Sequence, residues 1–463
     1  MKKILIKTKN IFFKNYPRTF FSVYLLLGLF GGVILILPIS NHGNLKFIDS
    51  LFISISALST TGLSPVTSLA DTFTIFGKIV IMFITQIGGL GIYMLIANFW
   101  IFSKKKIDVS ERAILAAEQN VFTLKGIIRN IKTVFLTIIS IEIISIIFLT
   151  IYFSLSPTLN TNSFGVNLLE AAFLTTALFM NAGFEMFSGG FIFANFLTLN
   201  HYPIIIWGMI LIFVGGMGFI PISETIDWFK SKFKKEHFKF SYVSKLLFWT
   251  HFGLWVFGGI VLYLLEMNGV LKGLGFANSI TVSFFTSIST RSSGFSILNR
   301  IRDLKPATQL FMTLLMFIGA SPNSAGGGIR ITTAILAIAG IVRFSLNKAQ
   351  TKIGKRAYKE NTVQKAMVAL MAAISLIIVS VFIITLRENG VWSVFDVTFE
   401  VISAFGTVGY TNGLTNSASI LTKVVLMIVM FIGRISIITF ISSFDSTKKK
   451  QAYMLTEYDL MVS

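Results

Sequence analysis

The sequence predicts an all-α polytopic membrane protein built from four tandem repeats. Its 463 residues are 54% hydrophobic and only 13% charged, whereas a soluble domain carries about 25% charged residues. The mean hydropathy is +0.77. Four glycines that each precede a large apolar residue, Gly62, Gly183, Gly294 and Gly409, lie 121, 111 and 115 residues apart. Such regular spacing indicates one structural unit that occurs four times.

Two apolar stretches flank each of these glycines. The eight stretches are residues 19–38, 73–102, 134–153, 204–221, 246–265, 310–342, 367–386 and 420–440. Each is long enough, as a helix, to cross a hydrocarbon layer of about 30 Å. The sequence therefore predicts eight transmembrane spans, with repeats at residues 1–105, 106–240, 241–350 and 351–463, the last including a C-terminal tail.

A short helix is predicted ahead of each glycine. Phenylalanine stands ten residues before every one, at Phe52, Phe173, Phe284 and Phe399, while Asp49, Glu170, Thr281 and Asp396 stand thirteen residues before. At a helix start, such polar side chains accept hydrogen bonds from free N–H groups and suit the positive end of the helix dipole. The register therefore predicts a helix of about three turns that leads into a glycine turn.

The net charge of +20 is concentrated at the two ends and in the connections between repeats. Basic clusters lie at residues 2–18, 104–132, 230–239, 343–359 and 448–450. Connections rich in Lys and Arg stay in the cytoplasm, so both termini and all three linkers are predicted to be cytoplasmic and the glycine turns to face outward. We expect contact with membrane lipid but no nucleic-acid partner, because no soluble domain is present to hold one.

Other functions lack the residues that they need. The chain has no cysteine and four scattered histidines, so neither a disulfide nor a thiolate or histidine metal cluster is expected. No nucleophile–base pair or phosphate loop is recognisable, and we expect neither an enzyme nor a bound cofactor. A secondary transporter of another cation or small solute with broken helices is the alternative function, although it favours two inverted halves over four units that run the same way.

The four glycine turns suit a cation filter. A filter needs rings of carbonyl oxygens that point the same way, and glycine allows the positive φ angles and the close backbone approach that this requires. The candidate residues are Thr60, Thr61, Gly62, Leu63, Asn181, Ala182, Gly183, Phe184, Ser292, Ser293, Gly294, Phe295, Thr407, Val408, Gly409 and Tyr410. An ordinary tight turn is the alternative for any one copy. Four copies in register predict helix–pore-loop–helix repeats around a central pseudo-fourfold pore.

A second register of small residues follows the turns, at Gly88, Gly215, Gly319 and Gly433. Small residues in membrane helices permit close helix packing. The third copy runs into Ser321, Pro322, Asn323, Ser324, Ala325, Gly326, Gly327 and Gly328. Proline followed by consecutive glycines predicts that this span breaks into two halves joined by a loop. A simple hinge or kink is the alternative.

In the fourth copy, Arg434 takes the place of Gly89 and Gly216. A charge within a span costs about 2.5–3.5 kcal/mol on insertion scales, so the side chain is expected to face a wet cavity or a partner. A guanidinium below the filter would repel cations. The alternative is a side chain that extends to the cytoplasmic interface.

Two other charged residues have structural expectations. Arg291, beside the third turn, is expected to bond a carboxylate such as Glu185 or Glu400. Glu142 lies inside a predicted span and is expected to pair with another span.

The chain resembles the Trk/Ktr/HKT superfamily of potassium transporters over nearly its whole length. The motifs that carry the resemblance are Ser59-Thr60-Thr61-Gly62-Leu63, Asn181-Ala182-Gly183-Phe184, Thr290-Arg291-Ser292-Ser293-Gly294-Phe295 and Phe405-Gly406-Thr407-Val408-Gly409-Tyr410. The resemblance implies potassium uptake through these turns, and the presence of all four glycines favours potassium over sodium. It also implies that residues 321–328 lie under the filter as a gate, with Arg434 below the filter.

The first glycine turn follows the first span directly, which is similar to the Ktr-type membrane subunits of that superfamily. This likeness implies a homodimer with one pore in each protomer, on a cytosolic ring of nucleotide-binding regulatory subunits. It also implies a location in the bacterial plasma membrane. Whether sodium takes part in transport stays open.

Overall fold

The computed structural model describes residues 16–43, 45–103, 108, 112, 115, 127–161, 163–187, 193–298, 300–388 and 390–443. Within these ranges the chain is almost entirely helical, and the strands form a two-residue antiparallel ladder between β1 (Lys352–Ile353) and β2 (Arg356–Ala357). The predicted basic clusters at residues 2–14, 104–106, 125 and 448–450 lie outside the described residues.

The helices follow one order four times along the chain: a long helix, a short helix, one helical turn, and two further helices. The first set is α1 (Tyr16–Ile36), α2 (Phe47–Leu58), α3 (Leu69–Thr72), α4 (Ile75–Leu90) and α5 (Ile92–Phe102). The second is α6 (Ile127–Leu155), α7 (Phe164–Phe179), α8 (Asn195–Thr198), α9 (Tyr202–Met217) and α10 (Phe219–Phe233).

The third set is α11 (Tyr242–Glu266), α12 (Phe276–Thr290), a 3₁₀ turn (Ile301–Asp303), α13 (Pro306–Phe317) and α14 (Ile331–Ser345). The fourth is α15 (Glu360–Arg387), α16 (Val394–Gly406), α17 (Leu414–Ser417), α18 (Ile420–Ile435) and α19 (Ile437–Ser443). The four short helices that the sequence predicts are therefore α2, α7, α12 and α16.

The predicted polar residues stand at the helix start in two units and do not in the other two. Asp49 and Asp396 lie in the first turns of α2 and α16. Glu170 and Thr281 lie in the middle of α7 and α12, because those helices begin earlier, at Phe164 and Phe276. In α16 the capping acceptor is the hydroxyl of Ser393, which lies 3.1 Å from the Asp396 N–H.

Three described helices, α6, α11 and α15, are long and apolar enough to cross a membrane by themselves. Two consecutive pairs bend sharply, α4 with α5 by 95° and α9 with α10 by 107°, so the number reaches five if each pair is one span. The eight crossings read from the apolar stretches stay a prediction.

The predicted break in the third unit is present, since α13 ends at Phe317 and α14 begins at Ile331. Breaks that the sequence analysis did not predict also lie within the apolar stretches 73–102, 204–221 and 420–440. The backbone takes positive φ at Gly91 (88°), Gly218 (94°) and Ser436 (85°), and a right-handed helix cannot continue through such a residue.

Close helix packing at the second small-residue register is confirmed in the first, second and fourth units. A side-chain carbon on Gly88 would meet the carbonyl oxygen of Leu58, at the end of α2. The same holds for Gly215 with Phe179 and for Gly433 with Phe405. Glycine therefore lets α4, α9 and α18 lie directly against the ends of the short helices.

Candidate functional site

The four glycine turns meet around one axis. They are turn 1 (residues 60–63), turn 2 (181–184), turn 3 (292–295) and turn 4 (407–410), and the φ angles of their glycines are 91°, 63°, 71° and 100°. A side-chain carbon on each glycine would collide with a carbonyl oxygen of the next turn, in the pairs Gly62 with Ala182, Gly183 with Ser293, Gly294 with Val408 and Gly409 with Thr61. The last pair closes the ring, so the turns follow one another around the axis in chain order.

Turns 1, 2 and 4 share one backbone motif. Thr60, Asn181 and Thr407 have left-handed φ angles of 53°, 53° and 50°. The next N–H in each turn bonds a carbonyl five residues back, at 2.8 Å for Thr61, 2.8 Å for Ala182 and 2.9 Å for Val408. These are the bonds of a Schellman helix end. The ends of α2, α7 and α16 therefore set the geometry of their own turns.

Turn 3 is built differently. Its corresponding residue, Ser292, is absent from the described residues with positive φ, and Arg291 before it stays right-handed with φ −80°. The N–H groups of Ser293 and Gly294 both bond the carbonyl of Ser289, at 2.9 and 3.1 Å.

The residue that follows each glycine is Leu63, Phe184, Phe295 or Tyr410, and all four are buried. The Tyr410 hydroxyl donates to the carbonyl oxygen of Phe295 at 2.9 Å, which joins turn 4 to turn 3. Each of these large side chains belongs to a cluster of buried hydrophobic residues.

A loop from residue 318 to residue 330, termed the central loop, lies against one side of the ring. The Thr60 hydroxyl lies 2.8 Å from the carbonyl oxygen of Ala325. A carbon added to Gly326 would be 2.7 Å from Ser292 Cβ, and one added to Gly327 would be 2.6 Å from Thr407 Cγ2. The loop thus contacts the first residues of turns 1, 3 and 4.

The broken helices hold the central loop in place. A helix that ends leaves its last carbonyls without partners, and non-helical backbone at membrane depth must find hydrogen bonds within the protein. Ser321 and Ala325 donate their N–H groups to Gly216 and Gly215, each at 3.1 Å, and Gly328 donates to Gly433 at 3.2 Å. The loop and the ends of α9 and α18 therefore satisfy each other.

Arg434 completes this arrangement for α4. Its guanidinium donates to the carbonyls of Gly88 and Gly89 at the end of α4, the latter at 3.0 Å, and to Ala325 and Gly326 of the central loop, the latter at 3.2 Å. The side chain is buried. The alternative in which it extends to the cytoplasmic interface is therefore wrong, and the expected partner is backbone.

A second guanidinium reaches the same loop. Arg330, directly before α14, donates to the carbonyl of Gly326, and its nitrogen lies 3.5 Å from the carbonyl oxygen of Ser321. Because Gly326 accepts from both arginines, positive charge is concentrated beside residues 325–326, next to the first residue of turn 1.

The expected carboxylate partner of Arg291 is wrong. Arg291 donates to His251 Nδ1 at 2.7 Å, to the His251 carbonyl at 3.2 Å and to the Gly319 carbonyl at 2.8 Å. Glu185 instead accepts from the Phe193 N–H at 3.2 Å. Glu400 accepts from residues 411, 412 and 415 in its own unit. Because Glu185 and Glu400 each accept hydrogen bonds from residues of their own unit, Arg291 bonds His251 and the central loop instead.

Glu142 has the inter-span partner that was expected, since Gln86 Nε2 donates to its Oε2 at 2.9 Å.

His251 carries no motif or spacing that marks it in the sequence. The extra breaks do have a signal: Gly91, Gly218 and Ser436 each lie three residues after the small-residue register.

The comparisons with known proteins agree with this geometry. A family model described as TrkH, cation transport protein, matches residues 33–453. The chain belongs to this family. Membership confirms the resemblance to Ktr/Trk-type transporters, and it confirms that the chain is a transport protein and not an enzyme.

Relatives match over nearly the full length. Ktr system potassium uptake protein D of Bacillus subtilis is 34% identical over 439 residues, which covers 92% of each chain. Ktr system potassium uptake protein B of the same species is 32% identical and covers 94% of each. Potassium/sodium uptake protein NtpJ of Enterococcus hirae is 28% identical and covers 95% of each.

The fold is shared with a solved structure. The crystal structure of the potassium transporter TrkH from Vibrio parahaemolyticus matches with a TM-score of 0.69 over 91% of this chain and 82% of that chain, at 16% identity. This likeness confirms an all-α polytopic membrane fold.

Proposed function

We propose that the protein takes up potassium ions across the cell membrane through the ring of four glycine turns. The observation that carries the proposal is the closed ring, in which every glycine lies against a carbonyl of the next turn. Such a ring can surround a dehydrated cation with backbone oxygens. The ends of α2, α7, α12 and α16 point their negative dipole ends toward it. Relatives named as potassium uptake proteins support potassium as the ion.

The proposed topology has eight spans in four repeats, at residues 1–105, 106–240, 241–350 and 351–463. The pairs α4–α5, α9–α10, α13–α14 and α18–α19 each serve as one broken second span. Both termini and the basic linkers lie in the cytoplasm of a bacterial cell, in agreement with the distribution of Lys and Arg. The turns then open toward the outside.

The central loop is the proposed gate, formed by residues 321–328 with Arg434. Its contacts with turns 1, 3 and 4 support a position across the ion path. The guanidinium of Arg434 beside Ala325 adds an electrostatic barrier to cations. Opening requires the loop to break its hydrogen bonds to the last carbonyl groups of α9 and α18. These carbonyl groups can tolerate the loss if water takes the place of the loop as their donor.

A homodimer and a cytosolic nucleotide-binding regulatory subunit are proposed as partners. The words "Ktr system" in the names of two relatives agree with a multi-subunit assembly. The relative named as a potassium/sodium uptake protein supports a role for sodium. No cofactor is proposed for the chain itself, and potassium is its substrate.

The test is growth of a bacterium that lacks its own potassium uptake, at low external potassium, with this chain expressed alone or with a nucleotide-binding partner. Rescue supports uptake, and rescue that needs the partner supports the regulatory assignment. The matched control is a Gly294→Val chain, whose side chain would meet the Val408 carbonyl in the ring. Absence of rescue under both conditions, with the protein present in the membrane, contradicts the proposal.

The alternative is a secondary transporter with a binding site at broken helices, and the breaks at Gly91, Gly218 and Ser436 are the observation in its favour. Potassium flux in liposomes distinguishes the secondary transporter from the channel-like path, because a channel-like path carries potassium down its gradient without a second substrate.

A further inference from the structure

Turn 3 lacks the left-handed residue that shapes the other three turns. In turns 1, 2 and 4 a left-handed residue and a bond across five residues fix the path of the backbone. In turn 3 the bond across five residues comes one residue later, from the Gly294 N–H to the Ser289 carbonyl, and the Ser293 N–H shares this acceptor. A turn without the shared motif needs another contact to hold it in register with its neighbours.

Arg291 supplies such a contact, and it is unique to this turn. The corresponding residues of the other turns are Ser59, Met180 and Gly406. The Arg291 side chain is only 1% exposed. One nitrogen donates to His251 at both Nδ1 and the carbonyl, while the other donates to the carbonyl of Gly319 at 2.8 Å. Its planar fork thus joins α11 to the first residues of the central loop.

His251 determines the direction of that fork. Because arginine only donates, Nδ1 must accept, and the ring proton lies on Nε2. The other edge of the ring faces Gly216, where an added carbon would lie 3.0 Å from Cε1. The carbonyl of Gly216 accepts the Ser321 N–H at 3.1 Å. The first arm of the central loop, residues 319–321, is therefore held at two points beside the Arg291–His251 pair. Gly319 accepts from Arg291 itself, and Ser321 donates to Gly216, which lies against the His251 ring.

We propose that Arg291, oriented by His251, is a positioning residue that couples the shape of turn 3 to the position of the central loop. This inference rests on the proposed function, and it adds that selectivity and gating share one buried contact in the third unit. The second arm of the loop, residues 325–328, is held by Thr60 and Arg434 instead. In this proposal the loop pivots about residues 319–321 while residues 325–328 move.

Lysine cannot replace Arg291 in this role. A single ammonium on a flexible stem cannot hold His251 and Gly319 in a fixed planar geometry. Arg291→Lys keeps the charge and removes the coupling. His251→Leu removes the acceptor, whereas His251→Asn keeps an acceptor oxygen near the position of Nδ1.

The experiment measures potassium and sodium flux into liposomes that contain the full-length chain alone. Arg291→Lys and His251→Leu are expected to raise potassium flux and to lower the potassium-to-sodium flux ratio, each by roughly tenfold, the scale of one lost hydrogen bond to a charged group. His251→Asn should keep both quantities near those of the wild type. If Arg291→Lys does not accumulate, His251→Leu provides the same test.

The matched control is Thr308→Val, which removes a buried hydrogen bond of 2.6 Å to Glu266 between α11 and α13 in the same unit, away from turn 3. It should lower thermal stability and leave the flux ratio unchanged. An unchanged ratio in both Arg291→Lys and His251→Leu, with a potassium-selective wild type, overturns this inference alone. An equal change of the ratio in Thr308→Val overturns it too. A wild type that carries no potassium contradicts the proposed function itself.

Discussion

Thr60 and Arg434 meet at one acceptor, the carbonyl oxygen of Ala325. The Thr60 hydroxyl lies 2.8 Å from this oxygen, and the Arg434 guanidinium also donates to it. Thr60 begins turn 1, and Arg434 lies near the end of α18. One backbone atom of the central loop therefore connects the candidate filter to the charge that is proposed as its barrier.

Substitution of Arg434 should release the second arm of this loop. Arg434→Gln removes the charge and most of the bonds to α4 and the loop, so potassium flux without a regulator is expected to rise about tenfold or more. The potassium-to-sodium ratio should stay near that of the wild type, because the glycine ring is untouched. Thr60→Val should act in the same direction, and flux from the double variant tests whether the two effects are coupled. Independent, additive effects would contradict the shared acceptor.

Substitution of a ring glycine should relax selectivity. Gly62→Ser and Gly294→Ser place a side chain against the carbonyls of Ala182 and Val408, so the ring must widen or distort. The potassium-to-sodium flux ratio is expected to fall by roughly tenfold, which corresponds to about 1.4 kcal/mol. Gly43→Ser is the matched control, because Gly43 has a similar φ of 97° and nothing within 4 Å of an added carbon. A wild-type ratio in both ring variants contradicts the filter assignment.

Deletion of residues 325–328 should open the ion path. This segment carries the contacts to Thr60, Ser292 and Thr407, and without it potassium flux is expected to rise by an order of magnitude or more, the scale of a change of about 1.4 kcal/mol. Deletion of residues 347–350, which are exposed beyond α14, is a control of equal length. A folded protein that lacks residues 325–328 and conducts no faster argues against the gate.

The ion pair between Lys423 and Asp49 should stabilise the fold. The side chains of Lys423 and Asp49 are 12% and 15% exposed, and Lys423 Nζ lies 2.6 Å from Asp49 Oδ1. Asp49→Asn leaves the lysine charge unpaired and is expected to lower the free energy of unfolding by about 3 kcal/mol, whereas Lys423→Met with Asp49→Leu recovers part of this loss. Arg302→Met is the comparison, because Arg302 is 55% exposed in its pair with Asp396 and exposed pairs contribute about 1 kcal/mol or less. Thermal unfolding in detergent measures all of these variants.

Protonation of Glu388 is expected to lower the stability of the fold in acid. Burial raises the pKa of this carboxyl, but hydrogen bonds from Thr422 and Ser419 outweigh the burial and hold the pKa below its ordinary value of 4.5. A carboxyl with a depressed folded pKa stabilises the protein above its unfolded pKa and loses this contribution as the pH falls through the folded value. The unfolding temperature should therefore decline below about pH 4.5 less steeply in Glu388→Gln than in the wild type. Parallel pH curves would contradict this role.

Much of the site could be predicted from local sequence. Gly62 and Gly409 mark turns because few other residues adopt their backbone angles beside a neighbouring carbonyl. Pro322 and the glycines from Gly326 onward mark the break in the third unit, because proline and glycine oppose helix by their own geometry. Glu170 shows the limit of the same reasoning, since its register matches Asp49 while α7 begins a turn and a half earlier.

The sequence by itself determined the membrane class, the fourfold repetition and the glycine positions, because each follows from composition, period or the conformational limits of single residues. Only the tertiary structure decided the partners of Arg291 and Arg434. Arg434 bonds Gly88, 346 residues away along the chain, and Arg291 bonds a histidine in another helix. Such contacts depend on which helix ends are left with free carbonyls once all four units assemble, and no local pattern specifies that.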